Sequence, residues 1–181
     1  MKENTIVQFV SFETTLDSEA FIPQWEQYKR SVKSDVDVSL HQGVLKNGTF
    51  KYISQHRCPG GEFQFVFEKE RRSSKSPEVE VRRKQAGGYS VLQLESKNDP
   101  DINESKLFVF ILKPETDLDL FRQFSVHGKL NIYEAYYENC EFAYILEFFV
   151  KDEYAGDVLQ QLKILTSFTE AGIYKECLVH A

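Results

Sequence analysis

The order of hydrophobic periods constrains this chain most: the succession strand, helix, strand, strand, helix, strand can be written along it twice. The second half shows it best. Leu107 to Leu112 is a continuous apolar run of the kind a buried strand carries. Thr116 or Asp117 can cap a short helix bearing Leu118, Phe121 and Phe124, which stops at His127-Gly128. Leu130–Tyr137 and Phe142–Val150 then make a hairpin around Glu138-Asn139-Cys140. Lys151-Asp152 opens a helix with Tyr154, Val158, Leu162 and Leu165 at helical spacing, ended by Ala171-Gly172, and Ile173–Val179 supplies a last strand.

The first half can be written in the same order. Ile6–Thr14 alternates as a strand, with Ile6, Gln8, Val10 and Phe12 on one face and Val7, Phe9, Ser11 and Glu13 on the other. Apolar groups on both faces predict a strand covered on two sides. Asp17 or Ser18 offers an N-cap to a helix striped by Phe21, Trp25, Tyr28 and Val32. Val36, Val38 and Leu40 oppose Asp37, Ser39 and His41 on a strand that turns at Asn47-Gly48 and returns through Phe50, Tyr52 and Ile53 to His56. Glu62–Arg72 suits either period and is assigned here to a helix, because the repeated order then closes. Val79–Arg83 and Tyr89–Glu95 read as two strand-like runs around a Gly87-Gly88 turn, and Ser96–Ser105 as the linker.

An antiparallel sheet with both helices on one face leaves its other face bare, and here that face is too apolar to meet water. Two such units can bury those faces together. The expectation is an α+β chain of two βαββαβ halves, residues 1–97 and 105–181, packed sheet to sheet. A single continuous α+β domain is the alternative.

A net charge of −6 and a pI of about 5.3 oppose a nucleic-acid partner, whose affinity comes largely from Lys and Arg. The one basic stretch, Lys69–Arg72 with Arg82–Lys84, is interrupted by Glu70, Glu78 and Glu80. Cys58, Cys140 and Cys177 have the spacing of neither a disulfide framework nor a zinc site and read as free thiols. No apolar run approaches a membrane span, and Met1–Thr5 leads straight into a strand, so a cytoplasmic chain is expected.

Val38-Ser39-Leu40-His41-Gln42, followed by Asn47-Gly48-Thr49-Phe50 and Tyr52-Ile53-Ser54-Gln55-His56, resembles the hairpin of the antibiotic-biosynthesis-monooxygenase-like, dimeric α+β barrel proteins. Phe21-Ile22-Pro23-Gln24-Trp25 stands where that family has its first amphipathic helix. The resemblance implies a ferredoxin-like unit whose sheet packs on a second copy, here fused into the same chain as an intrachain dimeric α+β barrel. Haem-degrading members use a Trp at the end of the second hairpin strand, a His on the following helix and an Asn on the first strand. In this sequence His56 fills the Trp position, Glu62–Lys75 holds no His and Ile6–Thr14 holds no Asn. The resemblance therefore implies the fold and not that activity.

Two histidines on one hairpin, His41 and His56, are the candidates for acid–base or ligand chemistry. A metal would need a third ligand such as Glu13 or Cys58, and no metal site is assigned. Trp25, Tyr52, Tyr136 and Tyr144 are the candidate ligand-binding residues, expected between the sheets. Glu134, Glu138, Glu141 and Glu147 read as a solvated acidic face. No phosphate loop, activated-serine motif or dinucleotide fingerprint is present, and no cofactor is required. Two functional readings follow. The favoured one is a barrel that binds a small, partly aromatic molecule between its sheets without a catalytic centre, as a monomer or homodimer. The other is a monooxygenase-type enzyme, haem-degrading or cofactor-independent, with His41 and His56 in one cavity.

Overall fold

The computed structural model describes residues 5–32, 36–44, 50–58, 81–95, 101, 103–136, 140–165 and 170–177, with the side chains of 81–86 excepted. The elements are β1 (Ile6–Thr14), α1 (Ser18–Ser31), β2 (Asp37–Gly43), β3 (Tyr52–Cys58), β4 (Val81–Gln93), β5 (Glu104–Ile111), α2 (Asp119–Arg122), β6 (Gly128–Ala135), β7 (Tyr144–Lys151), α3 (Asp152–Leu165) and β8 (Glu170–Glu176). A 3-10 turn, Gln123–His127, continues α2. The Glu62–Arg72 helix, the Asn47-Gly48 turn, most of the Ser96–Ser105 linker and the Lys69–Arg72 basic stretch lie outside the described residues.

The strands close into one antiparallel barrel in the order β1-β3-β2-β8-β5-β7-β6-β4. The order β4-β1-β3-β2 of the earlier strands is matched by β8-β5-β7-β6 of the later ones. Edges meet at two seams, β2 on β8 and β4 on β6. The α+β class expected from the hydrophobic periods, and the barrel that the family resemblance implies, are observed.

Strand parity sorts the side chains into three clusters. Outward residues of the earlier strands, Ile6, Val38, Leu40 and Tyr52, pack under Phe21 and Trp25 of α1. Outward residues of the later strands, among them Leu107, Val109, Ile132 and Leu146, pack under α2 and under Ala155, Val158, Leu159 and Leu162 of α3. Inward residues Val7, Phe9, Ile53, Tyr89, Phe108, Phe110, Tyr133, Ile145 and Tyr174 fill the lumen. Asp17 caps α1, its Oδ1 accepting from the Ala20 amide at 2.8 Å. In α3 the buried stripe is turned from the expected one, leaving Tyr154 45% and Leu165 46% exposed.

Two glycine assignments are corrected. Gly87-Gly88 is no turn: one unbroken β4 runs through it, with Gly87 opposite Phe9 and Gly88 opposite Gln8 of β1. A Cβ on Gly87 would lie 3.0 Å from the Tyr89 ring and 3.1 Å from Cys140 Sγ, so close packing, not chain reversal, calls for glycine there. Ala171-Gly172 does not end a helix either; both residues lie in β8 and pair with Val109 and Phe108 of β5.

Candidate binding site

The lumen has a polar end and an aromatic end. At the polar end Lys106 of β5 and Glu147 of β7 are both buried and form an ion pair of 2.9 Å through Nζ and Oε1. Glu147 Oε2 accepts from the Tyr133 hydroxyl at 2.6 Å and from Asn131 Nδ2 at 2.9 Å, with Arg57 of β3 at 3.9 Å. Lys106 Nζ also donates to Gln55 Oε1 at 3.1 Å, an oxygen that lies 2.9 Å from His41 Nε2. The network joins β2 and β3 to β5, β6 and β7 across the lumen.

Its charges follow from its partners. Burial alone would raise the Glu147 pKa, but the Lys106 ammonium and Arg57 guanidinium, with the Lys106 and Tyr133 hydrogen bonds, hold it down at about 2. Burial first, and then the Lys106 charge, pushes His41 well below its ordinary value, so the imidazole is neutral. Burial and the Glu147 charge push the Tyr133 phenol well up. These groups hold one another in a fixed arrangement that leaves only His41 Nδ1 and Gln55 Nε2 of its buried side-chain nitrogen atoms without a hydrogen-bond partner, and such a network specifies which strands face each other.

Phe9 and Phe108 close off the polar end, their ring centroids 6.1 Å apart. Beyond them the lumen opens at an aromatic mouth lined by Phe9, Ser11, Phe50, Ile53, Gly87, Tyr89, Phe110, Glu141, Phe142 and Ile145. The rings interlock: Phe110 lies 5.0 Å from Phe142 and 5.4 Å from Phe50, and Phe9 lies 5.6 Å from Tyr89. The cavity among them measures about 20 Å³, with roughly 320 Å³ of space in all once the solvent-open mouth is included. About 10–15 Å³ already admits a water-sized group. The Tyr89 hydroxyl is committed to the Phe142 carbonyl at 3.2 Å. Ser11 is different. Its side chain lines the cavity, the residue is 5% exposed, and its Oγ has no hydrogen-bond partner.

The candidate residues are distributed otherwise than expected. His41 points into the lumen at the polar end, whereas His56 lies on the outer face under α1, 3.3 Å from the Tyr28 hydroxyl. Their strand positions, opposite Ile53 and Val38 respectively, have opposite parity, so the structure does not bring them together. Trp25 and Tyr52 pack between α1 and the sheet, Tyr52 within 3.1 Å of Ser18 Oγ. Tyr136 is 57% exposed, and Tyr144 packs against the later strands' outer cluster with its hydroxyl on the Pro114 carbonyl at 3.0 Å. Glu147 is no part of a solvated face, although Glu134 and Glu141 are exposed. Among the described residues no group of three or more His, Cys, Asp or Glu is placed to hold a metal. No described helix is long and apolar enough to cross a membrane.

No protein-family model matches the chain, and no curated protein matches it in sequence. Solved structures do match in shape. A mutant chlorite dismutase from Candidatus Nitrospira defluvii superposes with a TM-score of 0.60 at 9% identity, covering 97% of this chain and 92% of that one. The same enzyme in complex with imidazole gives 0.59 at 8% identity, over 97% and 92%. A haem-binding protein from Thermus thermophilus gives 0.56 at 11% identity over the same shares. At such low identity the likeness concerns architecture: along nearly its whole length this chain has the fold of chlorite dismutase.

Proposed function

We propose that this protein is a small-molecule binding module whose ligand enters the aromatic mouth of the barrel. One observation carries the reading: a buried hydroxyl, Ser11 Oγ, stands without a partner at the wall of an aromatic cavity open to solvent. Buried polar groups are ordinarily paired, and one left without a protein partner beside an opening invites a partner from outside. The dimensions limit the guest. The cavity of about 20 Å³ takes one hydroxyl- or amino-sized group, so the ring of a guest would lie against the aromatic side chains in its solvent-open mouth.

The Thermus neighbour is described as haem-binding, but the described residues of the mouth do not fit a haem. An iron porphyrin needs an axial side chain beside a slot as wide as the macrocycle. Of the described histidines, His41 and His56 are fully buried among hydrogen-bonded neighbours and His127 packs on the Tyr154 ring at 6.3 Å, while His180 lies outside the described residues. None of these three lines the mouth. The monooxygenase-type alternative requires both imidazoles in one cavity and gains no support from their opposite faces.

The test is a titration with p-cresol followed by protein NMR, beside a hemin titration followed by absorbance. Saturable one-to-one binding of p-cresol is expected, with shifts centred on Ser11, Phe110 and Phe142. It should weaken about tenfold in Ser11→Val, which fills the cavity and removes the hydroxyl. Absence of saturation in wild type, or a tight hemin complex, overturns the reading.

A further inference from the structure

The mouth also carries information about the charge of its guest, and this inference rests on the binding reading above. We propose that the site takes a phenol bearing a cationic tail, an amine of the tyramine type, with its hydroxyl at Ser11 and its ammonium at Glu141.

Three features of the lining lead there. Ser11, buried at the wall, is the polar group left for a guest, because the neighbouring Tyr89 hydroxyl already donates to Phe142. Between the two ends of such a guest lie the faces and edges of Phe9, Phe50, Phe110 and Phe142, a surface suited to one aromatic ring. Glu141 is exposed and is the one carboxylate among the described lining residues, which include no Lys, Arg or His. Its charge reaches the Tyr89 phenol at the same wall.

The cations of the lumen do not contend for the guest. Lys106 and Arg57 stand behind Phe9 and Phe108 and are engaged by Glu147. An anionic tail would meet Glu141 directly, in a chain whose net charge of −6 already repels anions. A ring with a hydroxyl at one end and an ammonium at the other is the simplest chemistry that answers all three features.

Four probes separate the parts: tyramine, p-cresol without the amine, phenethylamine without the hydroxyl, and 4-hydroxyphenylacetate with the charge reversed. Dissociation constants are read by NMR titration at low and high salt. Tyramine should bind about two- to fivefold tighter than p-cresol, as an exposed ion pair allows, and this margin should shrink with salt. It should bind about three- to tenfold tighter than phenethylamine, as one hydrogen bond allows. 4-Hydroxyphenylacetate should be the weakest of the four. Glu141→Gln should erase the first margin and leave the second, and Ser11→Ala should do the reverse. Both variants should keep the wild-type unfolding midpoint, since Glu141 is exposed and Ser11 Oγ bonds to nothing in the protein. Equal binding of tyramine and p-cresol, or margins untouched by the two substitutions, overturns the amine proposal while the binding reading stands. If none of the four saturates, both fall.

Discussion

Replacing Glu147 with glutamine keeps the size of the side chain and removes its charge. Lys106, whose side chain is 1% exposed, is then left in the lumen with Arg57 nearby and no anion. The cost can be worked from two sides. A folded-state pKa of about 2 against the ordinary 4.5 corresponds to about 3 kcal/mol of stability at neutral pH. Removing one partner of a buried ion pair costs about 3–5 kcal/mol in other proteins. The two agree. Because the folded-state value is depressed, this stabilisation is complete above the unfolded value near 4.5 and fades as pH falls toward 2. Urea unfolding followed through Trp25, the sole tryptophan, reports it. Glu147→Gln should be about 3 kcal/mol less stable than wild type at pH 7, and the gap should narrow to about half at pH 3. Combining it with Lys106→Met should recover most of the loss, since a neutral pair leaves no buried charge. A loss below about 1 kcal/mol, or a gap indifferent to pH, refutes the account of the lumen as a charge-paired core.

Two further outcomes follow from the same geometry. His41 is buried and neutral with its pKa lowered, so the unfolded chain takes up the proton first as pH drops below 6.5. Wild type should therefore lose stability over that range, and His41→Gln should flatten the slope; parallel slopes in chemical unfolding between about pH 7.5 and pH 5 would tell against it. Gly128 has extended backbone, yet a Cβ there would stand 1.5 Å from the Phe149 carbonyl oxygen. Gly128→Ala should lose more than about 3 kcal/mol or fail to fold, because the obstacle is backbone; a thermal midpoint like that of wild type contradicts this.

What the sequence disclosed and what it hid have the same cause. Strand periodicity is visible wherever one face is uniformly apolar, so β1, β2 and the α1 stripe were legible from their side chains alone. Parity even assigned Val7, Phe9 and Ser11 to one face and Ile6 and Phe12 to the other, as the packing of β1 bears out. The binding-site candidates failed at the next step. A tyrosine on a strand shows that it alternates, but not which face looks inward; Tyr52 went outward under α1, while Tyr89, Tyr133 and Tyr174 fill the lumen. The histidines shared a hairpin but not a parity. Glu147 did leave a sign: a lone carboxylate within Phe142–Val150, apolar on both faces, has to find a partner. Lys106, at the head of the Leu107–Leu112 run, was that partner, and only the register of β5 on β7 reveals it. Gly87-Gly88 misled because close packing and chain reversal call for the same residue.

Closure of the barrel has a mechanical consequence. With the hydrogen-bond ladder returning to its own start, each of the eight described strands has a neighbour on both sides, which limits a common route to fibrous aggregation. The ring is not equally strong around its circumference. β1 meets β3 through seven paired positions, whereas β2 meets β8 through three, His41–Glu176, Gln42–Lys175 and Gly43–Tyr174. Amide hydrogens of that short stitch should be the first in the barrel to exchange with solvent, because a ladder of three rungs can open without melting either flank.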